Sequence, residues 1–386
     1  DFILNIEQPS FGFADSPGDN GDLSYTSMVI ILSQILNNDS WINSDVSKFI
    51  EDSFSIQDSG FGYKPDASPR VKYTYYGIRA LRARSNPLSQ SSAIANFISK
   101  SRTLDGGFGQ FPNAQLAYLS HTYWALSSLN LIGKLNSNNI NVNDVLFWLS
   151  FLRKDNGTYG NSRLSDPSII STYRALQVKT LLGANDQLDP VLNQNLSSYR
   201  LESGGYRNRL AKTVPTMEAT YYGVQLALKL NLNVNLTKTV EFILDLQNND
   251  GGFALRPGFS SRLTSTYFAM LSLKIIDQVV LGEGMPNEDS GELDVYAPII
   301  IPSFIPRVDS NKTVQKYYKT TAKIYDPETN LNEVWVESIW YAQGNSTPQI
   351  MKYQGITLAD NEEIYIFIIG PYREVGFLQF QIFAND

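Results

Sequence analysis

The chain has 386 residues, no cysteine and one histidine. The missing thiols exclude disulfides, thiolate catalysis, iron–sulfur clusters and Cys-type zinc sites, and a lone histidine excludes a multi-histidine metal centre. With 31 basic against 38 acidic residues, a net charge of −7 and no Lys/Arg run, nothing here displaces the counterions of a nucleic acid.

The length suggests two or three domains of ordinary size. Charged residues are only 18% of the chain, and its polarity comes instead from Asn, Ser, Tyr and Gln. Such a surface has little to titrate and suits an external medium. No apolar run is long enough to span a bilayer. The first residue is Asp1, so any signal peptide or anchor is expected outside this chain. Six N-x-[ST] sequons, at Asn38, Asn156, Asn195, Asn235, Asn311 and Asn345, are candidate glycosylation sites. A chain this rich in Asn, Ser and Thr carries about five by chance, so they weigh little.

The first 280 residues are periodic. Gly-aromatic turns recur around Phe11, Phe61, Phe108, Tyr159, Tyr206 and Phe253, spaced 50, 47, 51, 47 and 47 residues apart. A second mark follows each after 13 or 14 residues: Ser24-Tyr25, Thr74-Tyr75, Thr122-Tyr123, Thr172-Tyr173, Thr220-Tyr221 and Thr266-Tyr267. Two marks holding phase six times indicate a repeat array. After each TY mark the apolar spacing is helical, as in 122–132 and 220–230; an Asn-rich loop and a second amphipathic helix follow, as in 144–152 and 239–247. The turn glycine reads as a left-handed helix C-cap, and the aromatic after it as a plug between hairpins. Residues 1–8 match 241–247 in pattern, so the chain starts inside the second helix of a unit. A linear solenoid needs polar caps, and none is visible, so six hairpins closing into a ring are expected, TY helices inside.

Residues 282–292, rich in Gly and acids, read as a linker. Beyond them the period becomes alternating: 314–326, 332–341, 349–358, 362–370 and 375–386 are strand-like, and the prolines of 295–306 restrict that stretch to an edge. An antiparallel sandwich over 293–386 is expected.

The segments LDGGFGQFPNAQLAYLSHTYWALSSL (104–129) and NDGGFALRPGFSSRLTSTYFAMLSL (249–273) resemble the repeat of protein prenyltransferase β-subunits and squalene/terpene cyclases. The resemblance covers about residues 1–281 and implies a six-hairpin α/α-toroid with a cavity open at the turn end. The second part resembles fibronectin-III or Ig-like modules through KIYDPETN, VWVESIWY and the ending FQIFAND. The whole is then a multidomain protein, helical first and β second.

The resemblance also implies chemistry that the residues can be checked against. The prenyltransferase zinc ligands fall here on Thr216, Glu218 and Ser265, a donor set that does not make a zinc site. The cyclase DxDD acid cluster does not occur, and a thioester would need a cysteine. What remains is a polar set just before the TY marks: Asp22, Arg70, Lys72, Tyr73, Tyr118, His121, Glu218 and Arg262. It reads either as a pocket for an anionic or sugar ligand or as opposite charges, such as Lys72 and Glu218, pairing across a solvated rim. The expectation is therefore a non-catalytic extracellular or cell-surface protein, with no cofactor, a sandwich spacer, and an unknown protein or carbohydrate partner. The alternatives are a polysaccharide lyase or hydrolase working at the toroid mouth, or an isoprenoid-binding cup without catalysis. Further domains would lie outside this chain.

Overall fold

The computed structural model describes residues 2–8, 12–84, 89–135, 140–184 and 190–281, and the strands between 299 and 385. The chain divides into two compact units, Asp1–Leu293 and Asp294–Asp386.

Twelve helices make up the described first unit: α1 (Phe2–Asn5), α2 (Leu23–Ile35), α3 (Ser44–Asp52), α4 (Val71–Ala83), α5 (Ser91–Lys100), α6 (Leu119–Leu131), α7 (Val142–Ser150), α8 (Ile169–Leu181), α9 (Pro190–Leu196), α10 (Met217–Lys229), α11 (Leu236–Leu244) and α12 (Leu263–Leu281). Each even-numbered helix packs on the next even one, and α12 packs on α2, so the inner ring closes. Burial separates the two kinds. Helix α6 buries ten of its thirteen residues, whereas α7 buries only Val145, Trp148 and Leu149. A helix buried nearly all round belongs inside, and one with a single apolar stripe belongs outside.

The fixed phase of the two sequence marks has a hydrogen-bonded cause. The turn aromatics Phe13, Phe61, Phe108, Tyr159, Tyr206 and Phe253 each donate a backbone N–H to the hydroxyl of Thr26, Thr74, Thr122, Thr172, Thr220 or Thr266, at 2.9–3.1 Å. The same hydroxyl donates one turn back, as from Thr172 to the Ser168 carbonyl at 2.8 Å and from Thr220 to the Thr216 carbonyl at 2.9 Å. One buried oxygen thus satisfies a turn donor and a helix-start acceptor together. Three residues after the threonine the side chain is Gly or Ala in five of the six repeats, because the turn aromatic lies on it: a Cβ at Gly77 would come within 2.6 Å of the Phe61 ring. The first repeat corrects the sequence register. Its clamp is Thr26 with Phe13, two residues beyond the expected Ser24-Tyr25 and Phe11, and Phe11 lies outside the described residues.

A second six-fold set of bonds seals the ring. The first N–H of each inner helix donates to a carbonyl two residues past the next repeat's turn aromatic: Leu23 to Tyr63, Val71 to Gln110, Leu119 to Asn161, Ile169 to Asn208, Met217 to Leu255, and Leu263 back to Asp15. These are among the donors a helix start leaves unpaired. The turn glycines are not helix C-caps, as expected from sequence. Helix α5 ends at Lys100, and Gly106 sits at the tip of a tight hairpin bridged by Arg102 and Phe108, with φ of 104°.

The second unit contains strands β1 (Ile299–Ser303), β2 (Lys316–Tyr325), β3 (Glu333–Ala342), β4 (Gln349–Gln354), β5 (Ile356–Ala359), β6 (Glu362–Tyr372) and β7 (Gly376–Asn385). They form two antiparallel sheets, ordered β5-β6-β2-β1 and β4-β3-β7. Pro302 lies in β1, an edge strand, the place in a sheet that tolerates a residue without an N–H. The linker 282–292 lies outside the described residues, as do Asn311 and Asn345.

Candidate functional site

The hairpin geometry brings one residue from each inner helix to a common level, so the interior is best read in layers counted from the clamp threonine. Four residues before it stand Asp22, Arg70, Tyr118, Ser168, Thr216 and Arg262, at the helix starts around the mouth. Asp22 caps α2 by accepting the Ser24 N–H at 2.6 Å, and Arg262 pairs with Asp15 at 3.4 Å. Arg70 and Tyr118 make no cap through their side chains.

Two residues before the clamp, Lys72 on α4 and Glu218 on α10 come from opposite sides of the ring. Glu218 is held above the ordinary carboxylate range by burial, an effect that Arg174 and then Lys72 oppose. Lys72 is held below its ordinary value, again chiefly by burial. Their attraction does not play out on a solvated rim: both lie within the ring, and the first counter-charge to Glu218 is Arg174. One residue before the clamp are Tyr73, hydrogen-bonded to Asp22, and His121, whose ring lies 5.5 Å from Tyr118 and 5.7 Å from Trp124. Burial, then Arg174 and Arg70, push the His121 imidazole down to about 4, so it is neutral at pH 7. Its buried Nδ1 has no hydrogen-bond partner.

Two residues after the clamp lies the layer that sequence reasoning missed: Met28, Tyr76, Trp124, Arg174, Tyr222 and Phe268. Five side chains are apolar or aromatic and one is a guanidinium. Arg174 lies over Trp124 at 5.2 Å and over Tyr222 at 5.9 Å. Tyr222 in turn lies 5.5 Å from Phe268. The phenols of Tyr76 and Tyr222 are pushed up by burial, that of Tyr222 to about 12, so both stay neutral. Tyr76, Trp124 and Arg174 keep some accessible area although they point into the ring, as the lining of a central hollow does. The buried Nε of Arg174 has no protein acceptor. The sequence carries the signal, since Arg174 is the one cation beside Met28, Tyr76, Trp124, Tyr222 and Phe268, but it follows the TY mark inside a helix that otherwise reads as core.

The positions to which the resemblance assigns zinc ligands hold two hydroxyls and one carboxylate. Thr216 spends its hydroxyl on the Ala219 N–H at 3.3 Å, and Ser265 is a buried neutral hydroxyl. Glu218 faces two cations. One carboxylate beside Arg174 and Lys72 does not fit a dication that needs about four N, S or O donors. Among the described residues no cluster of three or more His, Asp or Glu is placed to hold a metal.

A family model described as the prenyltransferase alpha-alpha toroid domain matches residues 1–117 and 113–295. The chain belongs to that family. Two curated relatives are similar to it: a protein farnesyltransferase subunit beta of Pisum sativum, 27% identical over 163 residues (41% of this chain, 38% of the relative), and its namesake in Arabidopsis thaliana, 26% identical (41% and 33%). The chain therefore spans little more than a third of the length of these relatives. Among solved structures, a Candida albicans protein geranylgeranyltransferase-I in complex with GGPP superposes with a TM-score of 0.58 at 16% identity, covering 69% of this chain and 89% of that one. A Scytonema type II terpene cyclase gives 0.52 at 11% identity, covering 72% and 95%. At such identities these two share the fold.

The relatives overturn three expectations. A cell-surface structural role, a polysaccharide-active enzyme and a catalytically silent isoprenoid cup all give way, because the curated relatives of this toroid are subunits of prenyl-transferring enzymes. The cell-surface protein or carbohydrate partner falls with them. Positions unfit for a metal do not remove all chemistry from the ring, because the Arg174 layer needs no metal to be polar. Of the sequons within the described residues, Asn38, Asn156 and Asn235 use their side-chain oxygens to accept local backbone N–H groups.

Proposed function

We propose that the toroid is the substrate-holding subunit of a prenyl-transferring enzyme and takes a prenyl diphosphate. One observation carries this: a guanidinium, Arg174, set among Trp124, Tyr222, Tyr76 and Phe268 inside the ring. The aromatic faces suit an isoprenoid chain, and Arg174 with Lys72 suits the diphosphate. When the allylic carbon–oxygen bond breaks, the leaving diphosphate gains negative charge that the two cations meet, while the π faces meet the positive charge left on carbon. Neutral His121 near the mouth can accept the proton that an acceptor nucleophile loses. The residues at the zinc positions do not fit the metal.

The name of the relatives, subunit beta, supports a partner subunit for this toroid as well. For the second unit, the antiparallel strand order supports an Ig-like or fibronectin-III-like module joined through the linker 282–292.

The reading is tested with a fluorescent farnesyl diphosphate and the matching farnesol. The wild-type chain should bind the diphosphate more tightly. Arg174→Gln should weaken that binding by about tenfold or more, the range of a hydrogen bond to a charged group, and leave farnesol binding nearly unchanged. Equal affinity for diphosphate and alcohol in the wild type would sink the proposal.

A further inference from the structure

Among the described residues, loops at the two ends of the ring differ in a way that a prenyl-diphosphate pocket does not require. At the end where inner helices finish, the connecting loops are Asn-rich, as in 36–43 and 231–235. Among the described residues these two loops expose no large apolar side chain. At the mouth end five of the six loops expose such side chains, among them Tyr63, Phe111, Leu116, Leu164, Leu210 and Phe259. Leu164 is 98% exposed, so folding gains nothing from it.

Charge is uneven as well. Three consecutive mouth loops, 160–168, 207–216 and 254–262, carry Arg163, Arg207, Arg209, Lys212, Arg256 and Arg262 against Asp166 alone. That sector is five charges positive on a chain whose net charge is −7. Elsewhere on the rim the first loop is acidic, with Asp15, Asp19 and Asp22. Some cations are spoken for: Arg209 approaches Asp166 at 3.8 Å, Arg262 pairs with Asp15, and Arg207 holds the Leu210 and Lys212 carbonyls. A protein interface wants a contiguous apolar centre with few charges. Here single apolar tips alternate with cations around an opening, the arrangement that inserts side chains between anionic headgroups and their acyl chains.

We propose that the sector formed by loops 160–168, 207–216 and 254–262 docks the toroid, mouth first, on an anionic lipid bilayer. The apolar tips Leu164, Leu210 and Phe259 enter the interface, and the exposed Arg209 and Lys212 meet the headgroups. Among the described residues no helix is long and apolar enough to cross a membrane, and the docking proposed is through loop side chains alone. The inference stands whether or not the toroid accepts a prenyl diphosphate.

Co-sedimentation of the full chain with vesicles tests it, comparing pure phosphatidylcholine with a mixture holding about 30% phosphatidylserine. The chain should sediment with the mixture and not with the neutral vesicles, and about 0.5 M NaCl should release much of it. Leu164→Asp should lower binding about fivefold, since it trades an inserted apolar tip for a repelled charge. Arg209→Glu with Lys212→Glu should reduce it to the neutral-vesicle level. All three positions are surface-exposed, and an unchanged Tm shows that the variants fold. Failure of the wild type to bind the anionic vesicles, equal binding to both lipids, or variants that bind as well as the wild type would each overturn the proposal. So would a concentration-dependent dimer, without lipid binding, that Leu164→Asp abolishes, because the rim would then be an interface between copies.

Discussion

A single histidine makes its environment directly measurable. His121 lies between Tyr118 and Trp124, and burial together with Arg174 and Arg70 lowers it from 6.5 to about 4. A group whose folded value lies below its unfolded value resists protonation only when folded. Its contribution to stability is therefore whole above pH 6.5 and is lost as pH falls from there towards 4. The one imidazole Hε1 resonance should titrate with a midpoint near 4. A midpoint near 6.5 would show an open, solvated ring and remove His121 as a neutral base at the mouth. In His121→Gln the fall of Tm over the same window should be shallower than in the wild type. Arg174 and Glu218 are coupled differently. Removing the guanidinium leaves Glu218 buried with less counter-charge, so Arg174→Met should lower stability by about 3–5 kcal/mol. Arg174→Met with Glu218→Leu should recover part of that loss. Chemical denaturation of the three proteins checks the order.

At the scale of elements, the clamp threonine decides whether a turn and a helix stay in phase. In the fifth repeat, Thr220→Val keeps the volume but leaves the buried Tyr206 N–H without an acceptor, which costs about 1–3 kcal/mol. Thr220→Ser keeps the oxygen and should cost less. Gly223→Ala should be worse than its helix propensity suggests, because the new Cβ would overlap the Tyr206 ring. Equal stability of the Val and Ser variants would refute the clamp. These bonds also explain how much of the fold the sequence disclosed. Five of the six Thr-Tyr pairs stand in the open because the threonine is held by hydrogen bonding and the tyrosine by packing. In the first repeat Ser27 replaces that tyrosine, and Tyr25, placed just before Thr26, imitates the motif two residues early. The candidate site was legible only in its outer layers. Lys72, Tyr73, His121 and Glu218 precede a recognisable mark, whereas Arg174 follows one inside a helix that otherwise reads as core. Its role comes from what the other five helices place at the same level, and no single repeat contains that information.

For the whole toroid, closure sets the terms. Five of the six seams between neighbouring repeats are also joined by the chain itself. The sixth, between α12 and the turn leading into α2, holds without a direct covalent connection. Its bonds are correspondingly dense. Leu263 donates to the Asp15 carbonyl at 2.8 Å, the Asp15 carboxylate accepts the Thr264 N–H at 2.9 Å and the Thr264 hydroxyl, and Arg262 approaches at 3.4 Å. Helix α1 adds apolar burial there, with Phe2 against the turn at Gly252 and its N–H on the Asp250 carbonyl at 3.2 Å. An internal seam offers a matched control, since Asn161 accepts the Ser120 N–H at 2.9 Å just as Asp15 accepts that of Thr264. Losing either cap costs about 1 kcal/mol in its own helix. Asn161→Ala should therefore raise amide exchange only near the start of α6, where the flanking repeats remain tethered. Asp15→Ala should raise exchange through α12, α1 and the start of α2 together, because opening that seam frees two ends of the array at once. Matching, local exchange in both variants would mean that the ring does not depend on its non-covalent seam, and that the six hairpins behave as an ordinary solenoid whose ends happen to touch.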